Sequence, residues 1–350
     1  MTQAKRWTRR FVAIPLLLLA AVALVNFIVD PYSVTGYNLL SIPNKFARDD
    51  RDEKVNRLMT APRYDTLLLG SSRVYSINPL TVESYLHGSA YNAGVGTARI
   101  EDQLGFLLLL DRIHKFPRTV LLGLDFYTFN PEVETNSYFL RNPELNFLHQ
   151  TVPSSDTLAK FLSLDALKAS YKTLANFLLH PDARPRFNQY GGKQGSEAVL
   201  GLPDLNRKEA SHFPLEKIDR ELKFIKTATY PEISTARMQY LERIIALCKQ
   251  HHTRLIVFIT PLSSDLLAAI GRDPVLSKRL AEFKTMLATR TSYVDFAAPS
   301  PVNDDAYYFG NPTHTTFQTG NLILMRLLDG GNPVLPSRFG MPRKTTPSGS

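Results

Sequence analysis

Leu67-Leu68-Leu69-Gly70-Ser71-Ser72-Arg73 sets the fold class of this chain. Three leucines after Tyr64-Asp65-Thr66 read as a strand buried on both faces, the signature of a parallel sheet covered by helices. The run stops at a glycine, two hydroxyls and a cation. Ligands of open α/β sheets sit beyond the carboxyl ends of the strands, so a serine here faces a ligand rather than the core. The same residues also suit a helix N-cap or an ordinary turn.

Four more strand-like runs extend the pattern outward. One leads into Tyr91-Asn92-Ala93-Gly94-Val95-Gly96-Thr97-Ala98, where two glycines let backbone approach a ligand and offer N–H groups. No lysine stands in P-loop register, and the dinucleotide fingerprint is absent. Thr119 to Phe126, Leu255 to Pro261 and Thr291 to Phe296 follow. Helical patterns lie between them or after them, at Ile100–Leu110, Arg237–Gln250, Leu276–Leu287 and Gln318–Leu328. Strand, crossover and strand at these spacings predict right-handed βαβ units and a mostly parallel sheet in an α/β domain. The stretch from about 130 to 235 is far longer than ordinary connections. It reads as a helical insertion shaping a substrate groove, with helical runs at Leu158–Leu162 and Tyr171–Leu179 and a loop at Gln189–Gly195.

Lys5, Arg6, Arg9 and Arg10 precede an uncharged, mostly apolar run from Phe11 to Val29, nineteen residues long. That length matches a bilayer core, and the flanking cations predict a cytoplasmic N-terminus with everything after Asp30 outside. Ala21-Val22-Ala23 also offers a small-x-small cleavage site, but apolar residues continue beyond it, which favours a single-pass anchor in the inner (plasma) membrane over a cleaved signal. The chain then divides into a basic tail (1–10), the anchor (11–29), a connector (30–59), the sheet domain with its insertion (60–335) and a disordered tail (336–350). Within the connector, the charge run Arg48–Lys54 reads as a solvated helix start.

The 350 residues carry a net charge of +9, 44% hydrophobic and 21% charged residues, as in a folded globular protein. The basic residues are scattered and no nucleic-acid motif occurs, so an anionic lipid or polymer suits the charge better than DNA. Cys248 is the only cysteine, which rules out an intrachain disulfide and a cysteine metal cluster; it lies in a helical pattern and reads as a buried structural thiol. Neither a metal nor a diffusible cofactor is implied.

Acyl transfer through serine needs a nucleophile, a base, a residue that orients the base and donors for the oxyanion. Ser72 at a strand end suits the first role. His314, alone among eight histidines in a proline-shaped turn opening a terminal helix, suits the second.

The order of these pieces resembles the SGNH (GDSL-type) hydrolase superfamily, which implies a three-layer α/β/α domain with a mostly parallel, flavodoxin-like sheet. The resemblance places the nucleophile block on Gly70, Ser71 and Ser72, and the oxyanion glycine in Asn92–Gly96, with Gly96 favoured. It places the glycine-x-asparagine block on Gly123-Leu124-Asp125 and the aspartate-x-x-histidine block on Asn311-Pro312-Thr313-His314. Two positions depart from the pattern. Asp125 replaces an amide that would donate to the oxyanion, leaving three options: a protonated acid, another role, or a hole of backbone donors alone. Asn311 replaces the orienting acid; its carbonyl can accept the imidazole N–H but brings no charge, and in a serine protease that exchange costs about 10⁴ in turnover. Asp304 or Asp305 would substitute if the loop folded back.

Within the superfamily, an anchored chain with Gly-Ser-Ser resembles proteins of cell-surface polysaccharide and teichoic acid decoration, including the alginate O-acetylation proteins and the D-alanine transfer protein of lipoteichoic acid synthesis. The resemblance implies a serine esterase or O-acyltransferase outside the membrane, with a cell-surface glycan and a multispanning membrane acyltransferase as partners. Arg73, Asn92 and Gly94 are the candidate substrate-binding residues. Arg73 either holds an anionic group of a glycan or pairs with Asp125, and Tyr307-Tyr308-Phe309 is either core or a sugar platform. The rival reading is a catalytically weak scaffold that binds glycan or docks the acyltransferase.

Overall fold

The structure, a computed structural model, describes residues 3–32, 39–42, 45, 49–150, 161–179, 187–226 and 229–345. The chain divides into two compact units, one of Met1–Glu53 with Leu140–Arg186, the other of Lys54–Phe139 with Phe187–Ser350.

The strands of the larger unit are β1 (Thr66–Leu69), β2 (Ala90–Asn92), β3 (Thr119–Leu124), β4 (Arg254–Ile259), β5 (Tyr293–Asp295), β6 (Phe309–Asn311), β7 (His314–Thr315) and β8 (Met341–Arg343). Six of them form one sheet in the order β2-β1-β3-β4-β5-β8, and β6 and β7 form a separate antiparallel ladder. Every pairing in the large sheet is parallel except β5 with β8. The class is therefore mixed α/β with a mostly parallel sheet, and all five sequence-read strands are present.

Leu67, Leu68 and Leu69 are at most 1% exposed, as a strand with neighbours on both edges and cover on both faces requires. Removing each from water contributes about 1.5–3 kcal/mol. The strand order reverses between β1 and β3, and an open parallel sheet leaves a crevice at the carboxyl ends of two such strands. Ser72 follows the carboxyl end of β1, so the sheet delivers it to that crevice.

The helix Phe317–Leu328 buries Leu322, Ile323 and Leu324 in one cluster with Leu68 of β1, Val74 and Phe339. Phe339 lies beyond the expected end of the domain, yet it is fully buried with its ring 4.8 Å from that of Phe296. Two residues later β8 pairs with β5. The expectation of a disordered tail over 336–350 is thus corrected as far as Thr345; residues 346–350 lie outside the described residues. The side chains of Met341–Arg343 are exposed, so β8 is an edge strand held by backbone bonds and carries no apolar signature.

The charge run at 48–54 is not a solvated helix start either. The helix Asp50–Thr60 begins there, but Arg51 is 1% exposed and Lys54 is fully buried. The Lys54 ammonium donates to the carbonyls of Asn92 (2.8 Å) and Gly191 and lies 3.9 Å from the Phe187 ring centre. A cation whose protons all face acceptors can be buried where a bare one cannot.

In the smaller unit, the helix Gln3–Val29 contains one segment, Arg9–Val29, long and apolar enough to cross a membrane, with a mean hydropathy of 2.8. Its Asn26 amide donates to the Phe161 carbonyl (2.7 Å) and accepts from the Ser170 hydroxyl (2.8 Å). Ser170 belongs to the helix Leu164–Leu179, which buries its small residues Ala166, Ala169, Ser170 and Thr173. The predicted helix at Leu158–Leu162 falls mostly outside the described residues. The insertion is not one cap: residues 140–186 join the smaller unit and those from 187 onward join the sheet unit.

Candidate active site

Chain direction turns sharply after β1. Ser71 caps a short 3-10 turn, Ser72–Val74, its hydroxyl accepting from the Arg73 N–H at 3.2 Å. This leaves Ser72 at the head of the turn, and among the described residues its own N–H has no acceptor. Asn92, at the end of β2, latches the turn from behind. Its amide donates to the carbonyls of Val74 (2.8 Å) and Ile77 (3.1 Å), and its Oδ1 accepts from the Gly94 N–H (3.0 Å). Gly94 must be glycine because a Cβ there would stand 2.5 Å from Val74 Cγ2.

His314 arrives from the other end of the chain. Asn311 closes a tight turn by accepting the N–H groups of Thr313 and His314, each at 3.0 Å. Its Oδ1 is also 3.0 Å from His314 Nδ1. The opposite ring nitrogen, Nε2, lies 2.8 Å from Ser72 Oγ. Ser76 Oγ and Thr315 Oγ1, 2.7 Å apart, tie the two segments together beside that contact. The structure thus brings Ser72, His314 and Asn311 into one hydrogen-bonded line, with Asn311 in the place the motif gives to an acid.

Burial pushes the His314 imidazole down to about 4, and Arg73 and Lys193 act in the same direction against the opposing charge of Asp125. At neutral pH the ring is uncharged. With its proton on Nδ1, the Nε2 lone pair faces the serine hydroxyl. That is the arrangement a general base needs.

The other predicted site residues are placed differently. Asp125 accepts from Arg73 Nη1 (3.2 Å), from Thr260 Oγ1 and from Tyr127 OH (3.5 Å), with both members of the Arg73 pair buried. With those contacts the structural-pair alternative describes Asp125, and Arg73 faces its own carboxylate rather than a free anion. Asn92 and Gly94 are positioning residues; their polar groups are spent on the turn. Gly96 belongs to the same loop but does not line the cavity in front of Ser72. Of the donors proposed for an oxyanion, the Ser72 N–H is the one that stands at the serine.

Neither Asp304 nor Asp305 reaches the histidine. Asp304 accepts from Ser264, and Asp305 is taken by Arg207 (2.8 Å), Ser211 and the Tyr307 N–H. Tyr308 and Phe309 are core; Tyr307 faces outward under the Arg207 guanidinium. Cys248 is buried, and burial pushes its thiol up to about 12, which leaves it inert at neutral pH.

The cavity in front of Ser72 has a volume of about 490 Å³ and is lined among others by Tyr75, Ser76, Lys193, His314 and Phe317. Its lining includes the cations Arg73 and Lys193 and no acid. Lys193 comes from the Gly191–Gly195 loop of the insertion and is exposed. Reading the sequence missed it, since a lysine in a glycine-rich loop carries no periodic signal. Gly320 was also missed, although a glycine inside a helix is itself a cue to close packing. A Cβ on Gly320 would stand 2.0 Å from the Ser76 carbonyl oxygen.

No protein-family model matches the chain, and no curated protein matches it either.

Proposed function

We propose that this chain is a membrane-anchored, extracytoplasmic serine esterase or O-acyltransferase of SGNH type, acting on a cell-surface glycan. One observation carries the reading: Ser72 Oγ and His314 Nε2, far apart in sequence, stand 2.8 Å apart at the wall of one cavity. Ser72 Oγ attacks the acyl carbonyl carbon while its proton passes to His314 Nε2. The Ser72 N–H donates to the developing oxyanion. As the tetrahedral species collapses, the alcohol leaves with the proton from His314, and the acyl group stays on Ser72. A glycan hydroxyl or water then attacks, returning its proton through His314 to the serine. The exposed Lys193 at the cavity wall favours a substrate bearing a carboxylate or phosphate near the ester.

The helix Arg9–Val29 supports a single-pass anchor, and the cations before it favour a cytoplasmic N-terminus. A multispanning membrane acyltransferase would supply the acyl group to such a site. Treating the full-length protein with a fluorophosphonate tests the chemistry. Label on Ser72 that disappears in Ser72→Ala supports it, and a folded protein that takes no label overturns it.

A second reading, a catalytically weak scaffold that binds glycan or docks the acyltransferase, is favoured by Asp125, which removes the side-chain oxyanion donor, and by the uncharged Asn311. Asn311→Asp separates the two. A rise in ester hydrolysis of tenfold or more marks a detuned enzyme; no change, together with intact cellular function in Ser72→Ala, favours the scaffold.

A further inference from the structure

The histidine of this site has an orienting amide and no adjacent acid, yet a carboxylate stands one hydroxyl away. Thr313 Oγ1 is 3.0 Å from His314 Nδ1, 3.1 Å from Asn311 Oδ1 and 3.3 Å from Glu221 Oε2. Thr313 is 1% exposed, so its hydroxyl must find its partners among these groups. Glu221 comes from the helix Leu215–Lys226, within the insertion.

Counting protons decides where the hydroxyl points. Asn311 Oδ1 already accepts two backbone N–H groups and lies within reach of His314 Nδ1 as well. A carbonyl oxygen has two lone pairs, so a further donor is poorly served there. The Glu221 carboxylate is an uncrowded acceptor, and a hydrogen bond to an ionised acceptor is roughly twice as strong as a neutral one. With its proton on Glu221, Thr313 Oγ1 turns a lone pair toward His314 Nδ1–H.

We propose that Glu221 and Thr313 are positioning residues for His314: the carboxylate polarises the threonine hydroxyl, and the hydroxyl oxygen accepts the Nδ1 proton and fixes the tautomer that leaves Nε2 free for Ser72. The acid missing from position 311 is thus supplied from the insertion, through a threonine. This inference rests on the serine–histidine reading above, but its test does not require the serine to react.

The charged groups around the ring are Arg73, Lys193 and Asp125, with Glu221 behind Thr313. A nearby anion favours imidazolium, so removing Glu221 lowers the titration midpoint of His314 and weakens the preference for the Nδ1–H tautomer. The experiment is ¹⁵N spectroscopy of histidine-labelled full-length protein in nanodiscs, with His314 assigned from a His314→Gln sample. The native ring is expected as the Nδ1–H tautomer. Glu221→Gln and Thr313→Val are each expected to cut the ratio of Nδ1–H to Nε2–H at least about threefold, and Thr313→Ser to restore it. In the double variant the loss should equal that of Thr313→Val alone, because the carboxylate acts through the hydroxyl.

An unchanged His314 spectrum in Glu221→Gln, or losses that add in the double variant, would overturn the proposal. Fluorophosphonate labelling of the same samples keeps the two claims apart. Tautomer changes in the variants, with a native protein that takes no label, retain the positioning network and lose the enzymatic reading. A native protein that labels while Glu221→Gln leaves both spectrum and labelling rate untouched does the reverse.

Discussion

Gly320→Ala should disable the site without touching any polar group in it. Gly320 lies in the helix Phe317–Leu328, which begins just after His314, and it packs on the backbone of Ser76, just after the Ser72 turn. The added Cβ would stand 2.0 Å from the Ser76 carbonyl oxygen and 2.6 Å from its carbon, a collision with main chain that no side-chain rotation relieves. Reaching a tolerable contact requires the two segments to part by about 1 Å or more. Ser72 rides on one of them and His314 on the other, so their 2.8 Å contact would open toward about 4 Å, beyond hydrogen-bond reach. A misplacement of about 1 Å costs on the order of 10² in rate, and overpacking of this kind costs about 1–3 kcal/mol in stability. The assay is the second-order rate of Ser72 modification by a fluorophosphonate, with thermal unfolding followed by circular dichroism. Gly331→Ala, where a Cβ meets open space, is the control and should match the native protein in both. A Gly320→Ala protein that reacts within about twofold of native at an unchanged melting temperature would refute the claim that this glycine sets the serine–histidine distance.

Four further outcomes are expected. With the imidazole held near 4, Ser72 modification should stay level down to about pH 5 and fall with a midpoint near 4; Lys193→Gln, which removes a cation, should raise that midpoint. The unfolded chain takes up the same proton near 6.5, so this group costs stability progressively as pH falls from about 6.5 to 4, measurable as a falling urea midpoint. Asp125→Ala strands the buried Arg73 guanidinium and should cost about 3–5 kcal/mol; a loss below about 1 kcal/mol in urea unfolding would contradict the buried pair. Phe339→Ala should cost about 3–5 kcal/mol, whereas a frayed tail would leave unfolding unchanged.

What was legible in the sequence follows from what burial writes into it. A strand covered on both faces must be apolar at successive positions, so Leu67–Leu69, Thr119–Leu124 and Leu255–Ile259 declared both themselves and a parallel sheet. The residues at the carboxyl ends of such strands are released from that constraint, which is why Ser72 stood out. β8 stayed hidden because an edge strand is held by backbone bonds and leaves its side chains unconstrained. Lys54 and Arg51 were misread because a charge run looks solvated until the carbonyls and carboxylates that receive it are in place.

The sequence by itself determined the sheet and the apolar N-terminal helix, and it singled out Ser72 and His314 as candidates for one site. Only the tertiary structure decided the division of labour around them. It spent Asp125 on Arg73 and Asn92 on the serine turn, brought Lys193 and Glu221 in from the insertion, and packed Gly320 of the last helix directly on the Ser76 carbonyl. The physical reason is range: strand and helix patterns record burial that neighbours in sequence share, whereas a hydrogen bond between residues 72 and 314 exists only once the whole chain between them has closed.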